Sequence, residues 1–303
     1  MNSPSSPLVL LLAAALGLAA VTSVSCYGAA AKSDGKVHVV TSAELFADFV
    51  RNVGGDRVQV KALVPGHADP HTYEPVPKSV KDVANADVIV INGVGLEETL
   101  MGLINNNVRQ GVPVVEMASG LPVIGGDAQE PKGNPHLWMN PQYAMHYVEQ
   151  IRDALIGVDP AGEATYRANA DSYLQQLVAL DSETTSKIRS VPQDRRKLVT
   201  FHDSFPYFAE RYGLEIAGTV VESPGAEPSA QQMARLEDRI RADNIRVVFK
   251  EPELNAQLLE MAAQDAGARV MTLLNIAYSG DVHSYLELMR CDAQQIVEGL
   301  GGP

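Results

Sequence analysis

The sequence predicts an α/β protein made of two similar lobes, each built on a mostly parallel sheet, with one long helix between them. Strand-like apolar runs alternate with amphipathic stretches in the first half of the chain and, in the same order, in its last third. That alternation is typical of parallel sheets covered by helices. An unusually long helical stretch separates the two halves. Two lobes arranged in this way can enclose a ligand between them.

The first lobe is predicted to span residues 37–158. It begins with a strand over 36–41 and a helix over 43–55, which ends at a pair of glycines. The stretch 56–64 alternates apolar and polar residues, as a strand with one buried face does. The stretch 87–93 is mostly apolar and reads as a buried strand. The remaining predicted elements are helices over 79–86, 97–107 and about 142–156 and a strand over 111–117.

A linking helix is predicted over residues 159–190. Asp159 and Pro160 supply its start, because an acidic residue followed by proline is typical of a first helical turn. Apolar residues then recur every three or four positions, as on one face of a helix. At about 1.5 Å per residue this helix reaches about 40 Å, the size of a small domain. The recurring apolar positions are Tyr166, Tyr173, Leu174, Leu177 and Leu180.

The second lobe is predicted to span residues 191–303. Its elements follow the order of those in the first lobe, although the sequence itself shows no obvious repeat. We therefore expect a second parallel sheet covered by helices. The predicted strands cover 196–201, 214–221, 245–250 and 268–274, and the predicted helices cover 204–213, 229–244, 255–267 and 284–300.

The composition fits a soluble globular body and argues against nucleic acid as a partner. The chain has 303 residues, of which 46% are hydrophobic and 20% charged. That length allows about two domains at roughly 150 residues each. The formal net charge is −13, whereas a phosphate backbone requires a basic face.

The N-terminus predicts export. Residues 8–21 are apolar and uncharged, too short for a bilayer span of about 20 residues but long enough for a signal-peptide core. We assign 1–25 as a signal peptide, although no basic residue precedes the core. Cys26 follows a small residue, as at a lipoprotein cleavage site, but Ser23 stands where leucine is usual. Residues 26–36 then form a tether with a lipid anchor on Cys26, and plain cleavage nearby is the alternative.

The only other cysteine is Cys291. One leftover cysteine in an exported chain leaves no intramolecular disulfide framework. If Cys26 carries a lipid, we expect Cys291 to be a buried and inert thiol on the last helix.

Three of the seven histidines follow predicted strands. His71 follows 56–64, His136 follows 111–117 after a longer loop, and His202 follows 196–201. Ligands of open parallel sheets bind outside the carboxyl ends of the strands, and neutral imidazole is a good ligand for zinc. A single loop histidine is more often a polar surface residue. The remaining histidines are expected to be packed, exposed or peripheral: His38, His67, His146 and His283.

Four segments carry a family resemblance. They are "GHADPHTYEPVPKSVKDVANADVIVINGVGLE" (66–97), "NPHLWMNP" (134–141), "VTFHDSFPYFAERYGL" (199–214) and "ESPGAEPSAQQM" (222–233). They closely resemble the metal-binding solute-binding proteins of bacterial ABC importers for zinc and manganese, in the right order over nearly the whole chain after residue 36. The resemblance implies two lobes joined by a long rigid helix and a metal ion in the cleft between the lobes. It also implies an ABC permease as partner, and we expect a monomer.

The same resemblance assigns the metal ligands to His71, His136 and His202. Zinc-type members usually have histidine at the third position, whereas glutamate is common in manganese-type members. His202 therefore favours Zn²⁺, with Mn²⁺ as the alternative, and three nitrogen donors also suit zinc better than manganese. The segment between Leu121 and Asn134 lacks the histidine-rich insertion of some zinc-specific members.

The fourth ligand position departs from the family pattern. The usual aspartate after the last strand is replaced by Asn275, a neutral group that leaves the charge of the ion uncompensated. Asp281 is an alternative carboxylate ligand, although it also matches a loop aspartate that family members carry before their last helix. A water molecule is a third alternative.

Two other functions remain open on the sequence alone. A zinc hydrolase also uses three histidines and a water. It needs a general base, for which Glu222 and Glu251 are candidates, but the chain has no His-Glu-x-x-His motif. A surface adhesin with a bound metal is the other alternative. For metal capture, we expect binding to weaken as the pH falls toward about 6, because the histidines must be neutral.

Overall fold

The computed structural model describes Met1 and residues 35–126, 132–221, 224–226, 228–276, 278 and 280–301. The predicted signal peptide lies outside these residues except for Met1, and so does most of the tether, including Cys26. Glu222 also lies outside them. None of the described helices is both long enough and apolar enough to cross a membrane.

The first lobe contains a four-stranded parallel sheet with the strand order β2-β1-β3-β4. Its central strand β1 pairs with β2 on one side and β3 on the other, so Val39 lies opposite Val60 and Val88. The elements are β1 (Val37–Ala43), α1 (Glu44–Gly54), β2 (Val58–Val64), α2 (Pro77–Asn85), β3 (Val88–Ile91), α3 (Glu98–Asn107), β4 (Val114–Glu116) and α4 (Pro141–Val158).

The linking helix α5 (Glu163–Arg189) has 27 residues, which is about 40 Å at 1.5 Å per residue. It begins four residues later than the sequence predicts, because Pro160–Gly162 form a separate 3₁₀ turn. In this turn the Asp159 carboxylate accepts hydrogen bonds from Arg57 and from the hydroxyl of Tyr166. Buried side chains recur along one face of α5, as the apolar spacing predicts.

The second lobe repeats the topology of the first, with a parallel sheet in the order β6-β5-β7-β8. The two-lobed α/β fold predicted from the sequence is therefore confirmed. The elements are β5 (Lys197–His202), α6 (Pro206–Tyr212), β6 (Glu215–Val221), α7 (Ala230–Ala242), β7 (Val247–Lys250), α8 (Gln257–Ala266), β8 (Arg269–Thr272) and α9 (Tyr285–Leu300).

The second sheet is buried on both faces, and its strands alternate between two apolar clusters. Along β7, Val247 and Phe249 pack into the main core, while Val248 packs into a smaller cluster beneath α7 and α8. Successive strand residues point to opposite faces, which explains this division. The main core extends through α5 into the first lobe, and residues 36–303 form one compact unit.

Helix α9 gives the lobes a second connection that the sequence does not predict. The backbone N–H of Tyr285 donates to the Asp48 carboxylate on α1 at 2.9 Å, and its hydroxyl donates to the Trp138 carbonyl at 2.7 Å. Its ring packs against Phe49 at 4.8 Å between centroids. The last helix therefore belongs by sequence to the second lobe but is anchored at its start in the first.

Candidate metal centre

Three imidazoles converge at the carboxyl ends of the two sheets. Nε2 of His136 lies 3.3 Å from Nε2 of His71 and 3.2 Å from Nε2 of His202. Two nitrogens bound tetrahedrally to zinc at about 2.0–2.1 Å are about 3.3–3.4 Å apart. In the part of the chain that the structure describes, these histidines form the one group of His, Cys, Asp and Glu whose ligand atoms all lie within 4.8 Å of one another.

The loop that follows β2 positions His71. The backbone N–H of His71 donates to Oδ1 of Asp69 at 3.0 Å, and the Thr72 hydroxyl donates to Oδ2 at 2.7 Å. An aspartate that accepts from residues two and three positions later is typical of a tight turn. Both carboxylate oxygens of Asp69 are therefore used to hold the loop, which directs the imidazole of His71 toward the cluster.

Asn134 fixes both the position and the tautomer of His136. Its Nδ2 donates to the backbone carbonyl of Asp203 at 2.6 Å, so its Oδ1 faces His136 and accepts from the backbone N–H at 3.0 Å. That oxygen also lies 2.9 Å from Nδ1 of His136. A carbonyl oxygen only accepts, so Nδ1 carries the proton and Nε2 presents its lone pair to the cluster. Because Asp203 belongs to the second lobe, the same amide also links the two lobes.

His202 is the last residue of β5 rather than part of the following loop, and it is backed by Glu251. Thr200 of β5 pairs with Phe249 of β7. His202 and Glu251 each follow two residues later, so they lie next to each other at the ends of these strands. Nδ1 of His202 lies 3.0 Å from Oε1 of Glu251, and both side chains are buried. The Ser204 hydroxyl donates to the same oxygen at 3.0 Å. Nδ1 of His202 makes no hydrogen bond within the described residues, so Glu251 acts on the ring through its nearby charge, which increases the basicity of the imidazole toward a metal.

Burial favours the neutral form of two of the imidazoles, those of His71 and His136. It lowers the pKa of His71 to about 4, although the carboxylate of Asp69 opposes this shift. Burial and the other two histidines hold the pKa of His136 well below its usual range. A metal ion binds only the neutral form of imidazole. Protons therefore compete at His71 and His136 only well below pH 6, and the expected loss of metal binding toward about pH 6 stays a prediction for the site as a whole.

Asn275 is buried and contacts Trp138, whose ring lies next to that of His136. It adopts φ = 38° in the loop after β8, a conformation that asparagine tolerates better than most residues. Its backbone carbonyl accepts from Nε1 of Trp138 at 2.9 Å, and the Trp138 ring lies 5.1 Å from that of His136. Among the described residues, no hydrogen-bond donor contacts Oδ1 of Asn275, although the residue is only 1% exposed.

Asp281 and the remaining histidines lie outside the three-histidine cluster. Asp281 is exposed, so the structure does not bring this alternative fourth ligand to the imidazoles. His67 and His283 are exposed, and the His146 ring contacts the backbone carbonyl of Ser119 at 3.0 Å. Cys291 is partly rather than fully buried, and burial raises the pKa of its thiol.

The sequence does not identify the residues that hold the ligands, and it offers Glu251 only as a candidate general base for the alternative hydrolase function. The carboxylate of Glu251 stands behind His202, at the nitrogen opposite Nε2, so it does not occupy the position of a general base. The sequence motifs do not identify Asn134 or Glu253. The topology is the feature that could identify these two residues. Each lies at the carboxyl edge of a sheet, where ligands of parallel sheets bind.

The carboxyl group of Glu253 faces the amide of Asn275 in the second lobe. Nδ2 of Asn275 donates to Oε1 of Glu253 at 3.5 Å. Oε2 of Glu253 is buried, with no hydrogen-bond partner within the described ranges. Burial, together with Glu251, Asp69 and Asp292, raises the pKa of Glu253 to about 8. The surroundings of this carboxyl therefore hold more negative charge than positive charge.

Comparison with known proteins adds the family context. Residues 39–299 match the model of the family described as "Zinc-uptake complex component A periplasmic". The manganese-binding lipoprotein MntA of Halalkalibacterium halodurans is 32% identical over 86% of this chain and 88% of its own. The manganese ABC transporter substrate-binding lipoprotein scaA of Streptococcus gordonii is 30% identical over 97% of each chain.

A solved structure agrees in fold over most of the chain. The periplasmic zinc-binding protein TroA of Treponema pallidum superposes with a TM-score of 0.81 at 28% identity, covering 88% of this chain and 99% of its own. The proteins that this chain resembles are therefore named for both manganese and zinc.

Proposed function

Because the chain belongs to the zinc-uptake complex component A family of periplasmic proteins, we propose that it captures Zn²⁺ outside the cytoplasm and delivers it to an ABC permease. It is the metal-binding, substrate-binding component of an ABC transporter, not an enzyme, and it is exported. The choice of zinc, the ligand residues and the anchor are the parts that we propose.

The observation that carries the proposal is that Nε2 of His71 and Nε2 of His202 both lie within hydrogen-bond distance of Nε2 of His136. Lone pairs held this close repel one another unless a proton or a cation lies between them. Burial keeps protons off His71 and His136 at neutral pH. The site is therefore built for a cation, and binding one relieves the repulsion between the rings.

The donor set supports zinc over manganese. Three imidazole nitrogens suit a borderline ion such as Zn²⁺, whereas Mn²⁺ prefers sites richer in oxygen. The spacing of the nitrogens also fits tetrahedral coordination. Asn275 is the protein group that we propose for the fourth position, because its amide oxygen is buried and unpartnered among the described residues.

Sharing the ligands between lobes provides a route for release. His71 and His136 come from the first lobe, whereas His202 and Asn275 come from the second. A small displacement of one lobe against the other separates these two pairs. Because α5 and α9 both tie the lobes together, we expect modest movement on docking to the permease rather than wide opening.

Calorimetric titration of metal-stripped protein with Zn²⁺ tests the site. We expect one tight site per chain and a loss of affinity of at least about tenfold in His202→Ala, because one of three nitrogen donors is removed. His283→Ala is the matched control, since that histidine is exposed and lies outside the cluster. Parent protein that binds no zinc, or His202→Ala that binds it as the parent does, would falsify the proposed site.

The physiological metal needs a cellular test. Most nitrogen sites bind zinc more tightly than manganese in solution, so affinity alone does not decide it. A strain that lacks the protein should grow poorly with a chelator, and added zinc should restore growth while added manganese should not. Restoration by manganese alone would make this a manganese importer.

The anchor is tested separately at Cys26. We propose cleavage before this residue and attachment of lipid to its thiol, consistent with relatives that are named lipoproteins. Mass spectrometry of the protein from membranes should find a lipid-modified Cys26 at the new N-terminus. Cys26→Ala should release the protein from the membrane fraction, and continued membrane attachment of that variant would contradict the assignment.

A further inference from the structure

A cavity of about 330 Å³ lies where the strands of the second sheet begin, at the end opposite the three-histidine cluster. Lys197 is the first residue of β5, Arg246 directly precedes β7, and Arg269 is the first residue of β8. The backbone N–H of Arg269 donates to the carbonyl of Arg246 at 2.9 Å. Neighbouring parallel strands therefore bring three cationic residues to the lining of one cavity, while His202 lies at the other end of β5.

This cavity, which we call the basic cavity, has more cationic side chains than carboxylates in its lining, although the formal net charge of the chain is −13. One of its two carboxylates is already shared, because Oδ2 of Asp243 lies 3.4 Å from Nζ of Lys197 and also pairs with Arg239 on α7. Clefts lined by one sign of charge attract ions of the opposite sign. The charged residues of the lining are Arg195, Lys197, Arg246, Arg269, Asp194 and Asp243.

Three arginines of the basic cavity have no carboxylate partner in the part of the chain that the structure describes. Most other described arginines form an ion pair with Asp or Glu, as Arg51 does with Glu44. Arg195, Arg246 and Arg269 are exposed and form no such pair among the described residues. Like charges around one cavity repel one another, and an anion between them removes that repulsion.

Buried apolar side chains complete the lining of the basic cavity. Ile245, Val247 and Leu300 contribute to it and are at most 9% exposed. Low-dielectric walls concentrate the field of the charges around them, so an anion binds more strongly here than on a flat surface. The volume also suffices for a small ligand, since small-molecule sites begin at about 300 Å³. The basic cavity therefore has both the charge and the volume that a small anion requires.

We propose that the basic cavity binds a phosphate group. A phosphate monoester carries a charge of about −1.5 to −2 and three strong acceptor oxygens at neutral pH. It therefore suits a cluster of four cations better than a single carboxylate does. Guanidinium groups also donate paired hydrogen bonds to phosphate oxygens. The phosphate group belongs to a soluble anion or to the headgroup of an anionic lipid, since both present phosphate oxygens.

Phosphate binding in this cavity is separate from metal capture. β5 has six residues, so Lys197 and His202 lie roughly 16 Å apart along the strand at about 3.3 Å per residue. The lining of the basic cavity shares no residue with the three-histidine cluster. A lipid headgroup bound here would hold the second lobe at the membrane surface, whereas a soluble anion would leave the lobe free of it.

Nuclear magnetic resonance titration of the metal-free protein with inorganic phosphate measures the binding, with sodium chloride adjusted to keep the ionic strength constant. Arg246→Gln combined with Arg269→Gln is the test variant, because both side chains are exposed. We expect the parent to bind one phosphate per chain and the test variant to bind it at least about tenfold more weakly, since two charge-assisted donors are lost. Arg195 is kept, because a Cβ atom at Gly301 would lie 3.0 Å from its Nη1, and a cation there stabilises the end of α9.

The control variant is Arg189→Gln combined with Arg235→Gln, which has the same net charge as the test variant. Both arginines are exposed and form no ion pair among the described residues, but neither lines the basic cavity. We expect its phosphate affinity to stay within about twofold of the parent's, because distant exposed charges are screened by salt. Equal losses in the two variants would mean that phosphate responds only to overall charge, and would overturn the proposal.

Vesicles distinguish the two sources of the phosphate group. Protein with Cys26→Ala, which lacks the proposed anchor, is sedimented with vesicles of phosphatidylcholine alone or mixed with an equal amount of phosphatidylglycerol. Sedimentation with only the anionic vesicles, lost in the test variant and kept in the control variant, identifies a lipid headgroup. Phosphate binding in solution without sedimentation identifies a soluble anion. Either result supports a phosphate site in the basic cavity.

Parent protein that binds neither inorganic phosphate nor anionic vesicles would overturn the inference, as would equal binding by the parent and the test variant. The zinc affinity of the test variant should remain that of the parent, because the cavity lies at the other end of the strands. If zinc binding is lost as well, Arg269→Gln alone separates a lost fold from a lost site. This single variant should keep its zinc affinity and bind phosphate about threefold more weakly, and an unchanged phosphate affinity would overturn the inference.

Discussion

At the residue scale, one amide decides how His136 meets a metal. The side-chain nitrogen of Asn134 donates to a backbone carbonyl of the second lobe. Its side-chain oxygen accepts the Nδ1 proton of His136. That arrangement leaves the Nε2 lone pair as the only free ring position. The tautomer is therefore set before a metal arrives, and the ring needs no rearrangement to bind one.

The protonation of the histidines provides a prediction. Burial lowers the pKa of His71 to about 4 and holds the pKa of His136 well below its usual range. A free imidazole titrates near 6.5. We therefore expect the His71 ring to stay neutral down to about pH 5 in metal-free protein, and the His136 ring to titrate well below the usual value and to carry its proton at Nδ1.

Long-range nitrogen–proton NMR spectra of the metal-free protein measure both properties. Assignment through His71→Gln and His136→Gln identifies the two rings. A titration midpoint near 6.5 for either ring, the value of a free imidazole, would show that the cluster is more open to water than the structure indicates. An Nε2–H signal from His136 would contradict the role of Asn134.

At the element scale, the sequence predicts the order and type of nearly every helix and strand. The reason is that the apolar periods are strong, as on α5, where Tyr166, Tyr173, Leu177 and Leu180 are all buried. Boundaries are less predictable, because they depend on contacts. The first turn expected at Asp159 is a separate 3₁₀ turn, and the Asp159 carboxylate binds Arg57 from a distant part of the chain.

Helix α5 should contribute stability through its buried face alone. Leu177 is fully buried in the main core, whereas the next residue, Val178, is 54% exposed. We expect Leu177→Ala to lower the free energy of unfolding by about 2–5 kcal/mol, through lost burial and the cavity left behind. Val178→Ala should change it by less than about 0.5 kcal/mol, as exposed substitutions usually do.

Urea denaturation of the two metal-free variants measures this difference. Equal effects of the two substitutions would mean that α5 is not packed as the structure shows. A larger effect at Val178 would mean that the helix presents its other face to the core.

At the scale of the whole molecule, the strands of each lobe end at the cleft, which is why the three histidines could be identified as a set. The rest could not be predicted, because it depends on register and tertiary contact. The pairing of β5 with β7 brings Glu251 to His202, and the turns that follow β7 and β8 bring Glu253 to Asn275. The anchoring of α9 in the first lobe likewise arises from contacts with residues that are distant from it in sequence.

Metal binding should stabilise the whole unit, because its ligands come from both lobes. Zinc present at about a thousand times its dissociation constant should raise the free energy of unfolding by about 4 kcal/mol. The chain has one tryptophan, Trp138, whose ring lies 5.1 Å from that of His136. Its fluorescence therefore reports unfolding next to the site.

The control for this stabilisation is His136→Ala with and without zinc. That variant should unfold at the same denaturant concentration in both conditions. A parent midpoint that zinc does not move, or a variant midpoint that moves as far as the parent's, would show that stabilisation does not come from the three-histidine site.

The central claim is that three imidazole nitrogens bind one metal ion between the lobes. X-ray absorption spectroscopy of the stoichiometric zinc complex tests it most directly. We predict a four-coordinate ion at about 2.0–2.1 Å from its nitrogen and oxygen donors, with the scattering pattern of three imidazoles. A spectrum with one imidazole or none, or with sulfur in the first shell, would contradict the claim.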